Sequence, residues 1–267
     1  MDAVDSNARR NTLAVSEIFG PTVQGEGPTA GSLAMFIRLA RCNLDCSWCD
    51  TPYTWDWKGK NGVAYDPKKE IVHWSVPDII ARLRELAPAE PWRLVITGGE
   101  PLLQSRLLTS LLADAVPLFK LGGAVDIETN GTQPPLGRVT TEGLYEVTSM
   151  VTEMIHYNIS PKLSSSGVTL VSTVDDWATR LREFAFERDT GCAVLKFVIS
   201  DSRDALEASA MADAADFPPD TVWFMPEGAT RERLEQTAPL VIEEALKYGV
   251  NYSDRLHVRL WGDERGR

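Results

Sequence analysis

The sequence predicts an α/β fold whose parallel sheet is either open or rolled into a complete or partial TIM-like barrel. Two observations predict this class. Segments with the two-residue period of strands alternate with segments that carry an apolar face at helical spacing, and repeated strand-then-helix order builds parallel sheets with right-handed crossovers. In addition, the 267 residues contain no linker rich in serine, glycine and proline, so we expect one domain of a length that barrels often have.

The predicted elements follow one another along the chain. Strand patterns cover residues 13–19 and 32–40, with a glycine-containing loop at 22–28 between them. Ser75 suits the N-cap of a helix whose apolar residues begin at Ile79. Further strands are predicted at 93–97, 124–129, 155–160, 194–200, 221–225 and 256–260, and further helices at 103–118, 174–186, 203–215 and 231–248. Residues 1–12 are predicted to form a flexible tail, 13–267 the domain, and 53–74 a loop excursion from it.

The composition argues against several classes of function. A net charge of −11 disfavours nucleic-acid binding, which uses basic surfaces to neutralise phosphates. No apolar run approaches the roughly 20 residues of a membrane span, and the N-terminus lacks the basic start and apolar core of a secretion signal. We therefore expect a cytoplasmic protein that acts on a small molecule and not on nucleic acid or a membrane.

Three of the four cysteines lie in one short segment. Cys42, Cys46 and Cys49 have the spacing Cys-x3-Cys-x2-Cys, and thiolates are preferred ligands of zinc and of iron–sulfur clusters. A closed zinc site needs four protein ligands, but Cys192 stands alone in an apolar run, where a small buried thiol is the ordinary expectation. The economical interpretation is a [4Fe–4S] cluster with three protein ligands and a fourth iron open to a molecule other than protein.

Polar clusters follow three successive predicted strands. Glu100 comes after the strand at 93–97, Glu128 lies in the strand at 124–129, and Lys162 follows the strand at 155–160. Because parallel sheets build active sites at the carboxyl ends of their strands, these side chains are expected at one mouth. The preference of polar residues and glycine for turns explains any single cluster. Three clusters at successive strand ends together favour an active site.

The cysteine motif, with Trp48 directly before its last cysteine, resembles the motif of the radical S-adenosylmethionine (SAM) superfamily. Further along, Gly98-Gly99-Glu100-Pro101 resembles the superfamily motif that binds the amino group of SAM. The resemblance implies a partial TIM-like barrel of the radical SAM type. It also implies that SAM chelates the open iron through its amino and carboxylate groups, and that the reduced cluster cleaves SAM to a 5′-deoxyadenosyl radical.

Within the superfamily, the chain resembles the 7-carboxy-7-deazaguanine synthase family. The motifs that carry this resemblance are spread over residues 18–27, 36–39, 49–51, 97–102, 128–132, 160–162 and 257–262. The implied reaction converts 6-carboxy-5,6,7,8-tetrahydropterin to 7-carboxy-7-deazaguanine, a step of queuosine and deazapurine biosynthesis. It begins with hydrogen abstraction from the pterin C6 and continues through radical rearrangement and ring contraction with loss of ammonia, while SAM is regenerated.

The resemblance implies a role for each matching cofactor residue. Cys42, Cys46 and Cys49 would hold the cluster. SAM would be bound by Trp48 beside the adenine, Gly99 and Glu100 at the amino group, Glu128 at the ribose hydroxyls, and Ser160 with Lys162 at the carboxylate. Thr51 would bind Mg²⁺, a hard cation that takes few protein oxygens and keeps several waters.

The pterin substrate would contact a second set of residues: Gln24, Glu26, Arg38, Thr97 and His257. Their chemistry agrees with that assignment. A carboxylate such as Glu26 can accept hydrogen bonds from the amino and ring N–H groups of a pterin, and Arg38 can pair with the substrate carboxylate. From residue periodicity alone, Arg38 is either a solvated residue or a site cation.

Two alternatives remain open. A radical SAM activase, which installs a glycyl radical on a partner protein, also carries this cysteine motif on a small partial barrel. An iron–sulfur electron carrier or structural zinc module would instead need a fourth protein ligand. Gln24, Glu26 and His257 favour the synthase. From the family we also expect a homodimer and a flavodoxin-like reductant, whereas His73 and His156 match no motif and are expected to be surface or satisfied core histidines.

Overall fold

One sheet, nine-stranded in the residues that the structure describes, organises the protein. The structure, a computed structural model, describes residues 11–87, 92–118, 125–137, 155–171, 173–262 and 264–267. Within these residues the strands are β1 (Leu13–Val23), β2 (Leu33–Leu39), β3 (Val72–Trp74), β4 (Arg93–Gly98), β5 (Val125–Thr129), β6 (Ile155–Ile159), β7 (Ala193–Ile199), β8 (Val222–Pro226) and β9 (Asn251–Tyr252). Their order in the sheet is β3-β1-β2-β4-β5-β6-β7-β8-β9.

Eight α-helices belong to the described residues. They are α1 (Pro67–Glu70), α2 (Val76–Leu86), α3 (Ser105–Leu118), α4 (Val174–Leu181), α5 (Ala185–Asp189), α6 (Ser202–Ala214), α7 (Arg231–Tyr248) and α8 (Leu256–Trp261). None of them has the length and apolar character that crossing a membrane requires. Polar side chains start several helices, as when Asp201 accepts hydrogen bonds from two backbone N–H groups at the beginning of α6.

The sheet is antiparallel at one side and parallel across the rest. Strand β1 pairs antiparallel with both β2 and β3, and every pair from β2–β4 to β8–β9 is parallel. Parallel neighbours have their carboxyl ends at the same edge of the sheet. That edge is therefore where the residues that follow β2, β4, β5, β6, β7 and β8 meet.

The sheet curls so that its two sides approach each other. The Gly27 N–H, in the loop after β1, donates to Ser253 Oγ at 2.7 Å, and the Leu256 N–H donates to the Gly25 carbonyl at 2.9 Å. Since β1 and β9 are not paired in the described residues, the barrel is partial. The predicted fold class is confirmed.

The two faces of the sheet differ in chemistry. Outward residues such as Ile96, Ile127 and Phe197 are fully buried in the large core beneath the helices, and burying each such side chain stabilises the fold by about 1.5–3 kcal/mol. The inner face holds a small apolar cluster of Phe19, Ala34, Phe36 and Val95. Beside it lie buried polar and charged residues: Asp126, Asn158 and Lys196. A charged inner face suits a binding cavity better than a closed core.

One predicted strand is wrong, because residues 256–260 belong to helix α8. The apolar residues Val258 and Leu260 alternate as in a strand, but only Val258 is buried and Leu260 is 47% exposed. The backbone finds its partners locally, since the Gly262 N–H donates to the Val258 carbonyl at 2.8 Å. Propensity and alternation over so short a segment do not distinguish the two states.

Other boundaries differ in smaller ways. Strand β1 continues through Gly20-Pro21 to Val23 after a register shift between Phe19 and Thr22. The helix predicted at 174–186 is divided into α4, a 3₁₀ turn and α5. Segment 53–74 contains α1 and the edge strand β3, where His73 is exposed. Most of the predicted tail, and Ala124 of the predicted strand at 124–129, lie outside the described residues.

Candidate active site

A cavity of about 280 Å³ opens at the carboxyl edge of the sheet. Its wall includes the three thiols of the cysteine segment and nearly every residue that the sequence assigned to SAM, Mg²⁺ or the pterin. These residues are Gln24, Glu26, Arg38, Cys42, Cys46, Trp48, Cys49, Thr51, Thr97, Gly99, Glu128, Ser160, Lys162 and His257. Arg38 therefore belongs to the cavity and is not a solvated surface residue. Of the assigned residues, only Glu100 lies outside the wall.

Two thiols of the cysteine segment accept hydrogen bonds from nearby N–H groups. The Leu44 N–H donates to Cys42 Sγ at 3.4 Å, and Trp55 Nε1–H donates to Cys49 Sγ at 3.2 Å. Burial raises the pKa of Cys42 to about 12 and also raises the pKa of Cys46 and Cys49. Iron binding must therefore displace these protons, and the N–H donors would stabilise the resulting thiolates.

The three thiols of the cysteine segment line one cavity. In the described residues, no three His, Cys, Asp or Glu side chains are arranged to hold one metal ion. An iron–sulfur cluster binds each thiolate at a different iron, so its ligands do not converge on one point. Cys42, Cys46 and Cys49 share the cavity in the way that such a group requires.

Cys192 is not placed to complete the site. It is half-buried and directly precedes β7, whose carboxyl end and not its amino end faces the cavity. A strand rises about 3.3 Å per residue, so this seven-residue strand separates Cys192 from the cavity edge by roughly 20 Å. Of the four cysteines, Cys42, Cys46 and Cys49 line the cavity and Cys192 does not.

The two glycines at the end of β4, Gly98 and Gly99, let the chain pass close to the cysteine segment. A Cβ on Gly99 would lie 2.0 Å from the Arg41 carbonyl oxygen, and a Cβ on Gly98 would lie 2.0 Å from that of Leu39. The Glu100 N–H donates to the Arg41 carbonyl at 2.8 Å. The Gly-Gly pair is thus required by the close packing of the two backbone segments.

Glu100 has a different environment from the other assigned residues. It is 0% exposed, and its carboxylate accepts hydrogen bonds from the Leu102 N–H, Thr129 Oγ1–H and the Asn130 N–H at 2.7–2.9 Å. These bonds join the ends of β4 and β5. In this structure the side chain of Glu100 organises the strand ends from beneath the cavity wall.

Three residues assigned to SAM, Trp48, Ser160 and Lys162, lie together in the cavity wall. Lys162 Nζ donates to Ser160 Oγ at 2.9 Å and lies 5.6 Å from the centroid of the Trp48 ring. An ammonium at this distance from an indole ring is held by a cation–π interaction. A cation, a hydroxyl and an aromatic face are therefore available side by side.

The pterin-assigned Glu26 is surrounded by cationic and polar groups. Its Oε2 accepts a hydrogen bond from Lys196 Nζ at 2.7 Å, and its Oε1 accepts one from Arg255 Nε at 2.9 Å. His257 Nε2 lies 3.8 Å from the same Oε1. Nearby, Arg38 Nε donates to Glu17 Oε2 at 3.0 Å.

These charges set the ionisation of the cavity. Burial alone would raise the pKa of Glu26, but Lys196 and Arg255 outweigh it and hold that pKa well below its usual range. Burial would lower the pKa of Lys196, yet its two carboxylate neighbours raise it. Burial lowers the pKa of His257, so near neutral pH its ring is uncharged and offers one donor and one acceptor.

Sequence analysis missed two residues of this cavity, Lys196 and Arg255. Arg255 also donates to the Gly228 carbonyl at 2.6 Å and forms a close ion pair with Asp50. Neither residue belongs to a recognisable motif. The available signal for Lys196 was a lone charge in an otherwise apolar strand pattern, which is costly to bury without a partner.

The partial barrel, the three-thiol segment and the Gly-Gly-Glu-Pro strand end together define a class of protein, the radical SAM enzymes. Proteins named 7-carboxy-7-deazaguanine synthase are similar to this chain over almost its whole length. The relative from Hyperthermus butylicus is 32% identical over 95% of this chain and 94% of its own. Those from Pyrobaculum aerophilum and Bacillus subtilis are 31% and 30% identical, over 96% and 95% of this chain and 97% and 98% of their own. This chain belongs to the 7-carboxy-7-deazaguanine synthase family.

A solved structure agrees with the architecture. The crystal structure of QueE from Escherichia coli aligns with a TM-score of 0.61 at 22% sequence identity, covering 96% of this chain and 100% of that one. At this identity the likeness shows the fold alone. No family model matches the chain.

Family membership decides between the classes that the sequence left open. The protein is a radical SAM lyase, a class that uses a [4Fe–4S] cluster and SAM. The glycyl-radical activase and the electron carrier are therefore not supported.

Proposed function

We propose that this protein converts 6-carboxy-5,6,7,8-tetrahydropterin to 7-carboxy-7-deazaguanine, with loss of ammonia, in queuosine or deazapurine biosynthesis. The observation that supports this proposal is the shared cavity: the five residues assigned to the pterin line the same space as the three thiols. A hydrogen abstraction needs the reacting carbon within about 3–3.5 Å of the abstracting atom, so substrate and cofactor must share one enclosure.

Cys42, Cys46 and Cys49 would hold the cluster, and when bound the reduced cluster supplies the electron that starts the radical chemistry of SAM. The chain's own contribution is to bind and orient. Lys162 offers a cation for the carboxylate of SAM, and Gly99 allows close approach of the backbone. The proposed contacts of Trp48, Glu100, Glu128 and Ser160 with SAM follow from their family positions.

The pterin would be oriented by opposite charges. Ionised Glu26 would accept hydrogen bonds from the N–H groups of the pterin ring, and Arg38 would bind the carboxylate of the substrate. Neutral His257 can donate to one substrate atom and accept from another. Gln24 and Thr97 supply further polar contacts in the wall.

Thr51 would bind Mg²⁺ together with oxygens of the substrate. Its Oγ1 lies 3.7 Å from Cys49 Sγ, and this contact supports a position for Mg²⁺ beside the proposed cluster. A lone protein hydroxyl suits Mg²⁺, because this ion retains several waters. A homodimer and a flavodoxin-like reductant belong to the same proposal.

The test is a defined assay. The protein is reconstituted anaerobically with iron and sulfide and incubated with SAM, dithionite, Mg²⁺ and the carboxy-tetrahydropterin. Mass spectrometry is expected to detect 7-carboxy-7-deazaguanine, and the Cys49→Ala variant is expected to form none because it cannot hold the cluster. Cleavage of SAM without a deazaguanine product would overturn the substrate assignment.

A further inference from the structure

Lys196 connects two parts of the cavity that have different proposed ligands. Its Nζ donates to Glu26 Oε2 and to Glu128 Oε2, each at 2.7 Å. Glu26 is in the loop after β1 and is proposed to bind the pterin. Glu128 is in β5 and is proposed to bind the ribose of SAM. A single ammonium on β7 therefore bridges the proposed sites of substrate and cofactor.

The bridge is buried and has defined geometry. The side chain of Lys196 is 4% exposed, and the two carboxylates are 15% and 16% exposed. A buried ammonium is strongly disfavoured unless it is paired and hydrogen-bonded. The two carboxylates therefore fix the position of the Lys196 ammonium. Through Lys196, the position of Glu26 also depends on that of Glu128.

Each carboxylate also accepts hydrogen bonds at its second oxygen, the one that Lys196 does not bind. Arg255 holds the other oxygen of Glu26, and the amides of Gln24 and Asn158 donate to the other oxygen of Glu128 at 3.0 and 2.9 Å. Among the ion pairs of the described residues, those of Lys196 alone join Glu26 to Glu128. A carboxylate accepts up to about four hydrogen bonds, so a ligand can bind either carboxylate without displacing Lys196.

We propose that Lys196 is a positioning residue that couples the binding of SAM to the binding of the pterin. This inference rests on the proposed function. Ribose hydroxyls that bind Glu128 would fix its carboxylate, and through Lys196 they would fix Glu26 in the orientation that receives the pterin. The second ligand then loses less conformational freedom, which gives positive cooperativity without a change of shape.

The experiment measures coupling and not turnover. Calorimetric titration of the reconstituted, unreduced holoenzyme gives the pterin Kd with and without SAM. We expect SAM to lower the pterin Kd of the wild type by about fivefold or more, and linkage requires the pterin to lower the SAM Kd by the same factor. In Lys196→Met this ratio should fall clearly below its wild-type value, because among the described contacts the Gln24–Glu128 hydrogen bond then remains as the link between the two sites.

Arg93→Met is the matched control. Arg93 is another cation of the inner face and pairs with Asp126 at 2.7 Å, but it does not bridge the two ligand sites. Its removal should lower thermal stability and retain the coupling. If Lys196→Met keeps the coupling, or if the wild type shows none, the inference is overturned.

A measurement on the wild type covers the case in which Lys196→Met does not fold. Methionine has no ribose and cannot bind Glu128 through hydroxyls, so it should leave the pterin Kd unchanged while SAM lowers it. If methionine and SAM lowered the pterin Kd equally, the proposed coupling through the ribose, Glu128 and Lys196 would be overturned. Failure of the wild type to bind the pterin in any state would instead overturn the substrate assignment, and the inference with it.

Discussion

Glu26 illustrates how strongly single residues of this cavity depend on their neighbours. Lys196 and Arg255 each bond to one of its oxygens, and their charges lower the pKa of Glu26 although burial would raise it. In the unfolded chain these neighbours are lost and Glu26 titrates near its ordinary value of 4.5. Ionised Glu26 therefore stabilises the folded protein above that pH, and this contribution is lost as the pH falls further.

The Glu26→Gln variant tests whether ionised Glu26 stabilises the folded protein. We expect its free energy of unfolding to fall less than that of the wild type when the pH is lowered from about 6 to about 3.5, by up to about 1.4 kcal/mol, because that range ends one unit below the ordinary pKa of 4.5. Urea unfolding at both pH values measures it. Glu85→Gln, which removes an exposed partner of Arg82, is the control and should match the wild type. An unchanged pH slope in Glu26→Gln would contradict the assignment.

Gly25 is required by a close contact. A Cβ at this position would lie 2.0 Å from His257 Nδ1. We expect Gly25→Ala to displace His257 and to lower kcat/KM for the pterin by on the order of a hundredfold, while iron content and cluster absorbance stay at the wild-type level. Steady-state kinetics and an iron assay measure both quantities.

Gly99→Ala is the companion variant for this prediction. Its Cβ would meet the Arg41 carbonyl, next to Cys42, so it should disturb the cysteine segment and reduce iron content. If Gly25→Ala lost iron to the same extent, the two glycines would not act at separate parts of the cavity.

At the scale of elements, the segment that precedes β3 is tied to the last residues of the chain. Arg265 Nε donates to Glu17 Oε1 at 2.8 Å, and its Nη2 donates to Glu70 Oε2 of α1 at 3.0 Å. Its guanidinium also lies 3.6 Å from the centroid of the Tyr53 ring. Since Glu17 also binds Arg38, these contacts lie directly beside the proposed pterin site.

Removing this cation should loosen α1 and β3. In Arg265→Gln we expect backbone hydrogen exchange of residues 66–74 to be about fivefold faster, because partly exposed ion pairs contribute about 1 kcal/mol or less. Arg267→Gln, which removes an exposed pair with Glu264, should leave the exchange rate unchanged. Equal rates in Arg265→Gln and the wild type would show that Arg265 does not hold this segment.

The predicted bounds of a helix were correct where its apolar pattern was long and capping residues marked both ends. Helix α7 matches its predicted bounds, with Thr230 as N-cap and Gly249 in the left-handed conformation at its end. The strand predicted at 256–260 is wrong because a five-residue segment with three alternating apolar residues fits either a strand or a helix. Strands β3 and β9 have three and two residues, too few for periodicity to indicate them.

At the scale of the whole molecule, contacts between the two sides of the sheet form the cavity. Ser253 accepts a hydrogen bond from the buried Gly27 N–H, next to Glu26. We expect Ser253→Ala to lower the free energy of unfolding by about 1–3 kcal/mol, because a buried donor loses its partner, and to weaken pterin binding. Urea unfolding and calorimetry measure the two effects. Ser165→Ala, at an exposed position, should have neither.

The proposed division into a tail at 1–12 and one domain at 13–267 remains a prediction, as do the homodimer, the reductant and Mg²⁺. The acidic composition agrees with a small-molecule substrate, and no basic surface is needed to explain the cavity.

The sequence by itself determined the fold class and predicted the cluster ligands. Ligands that lie close together in the chain have a characteristic spacing, as Cys42, Cys46 and Cys49 do, and alternation of strands and helices restricts the topology to a parallel sheet. The ion pairs that organise the cavity were decided only by the tertiary structure. Lys196 and Glu26 are 170 residues apart in the chain, and a single lysine in a strand has no period or spacing that identifies its partner. Only the curling of the sheet brings β7 opposite the loop after β1 and makes that lysine part of the site.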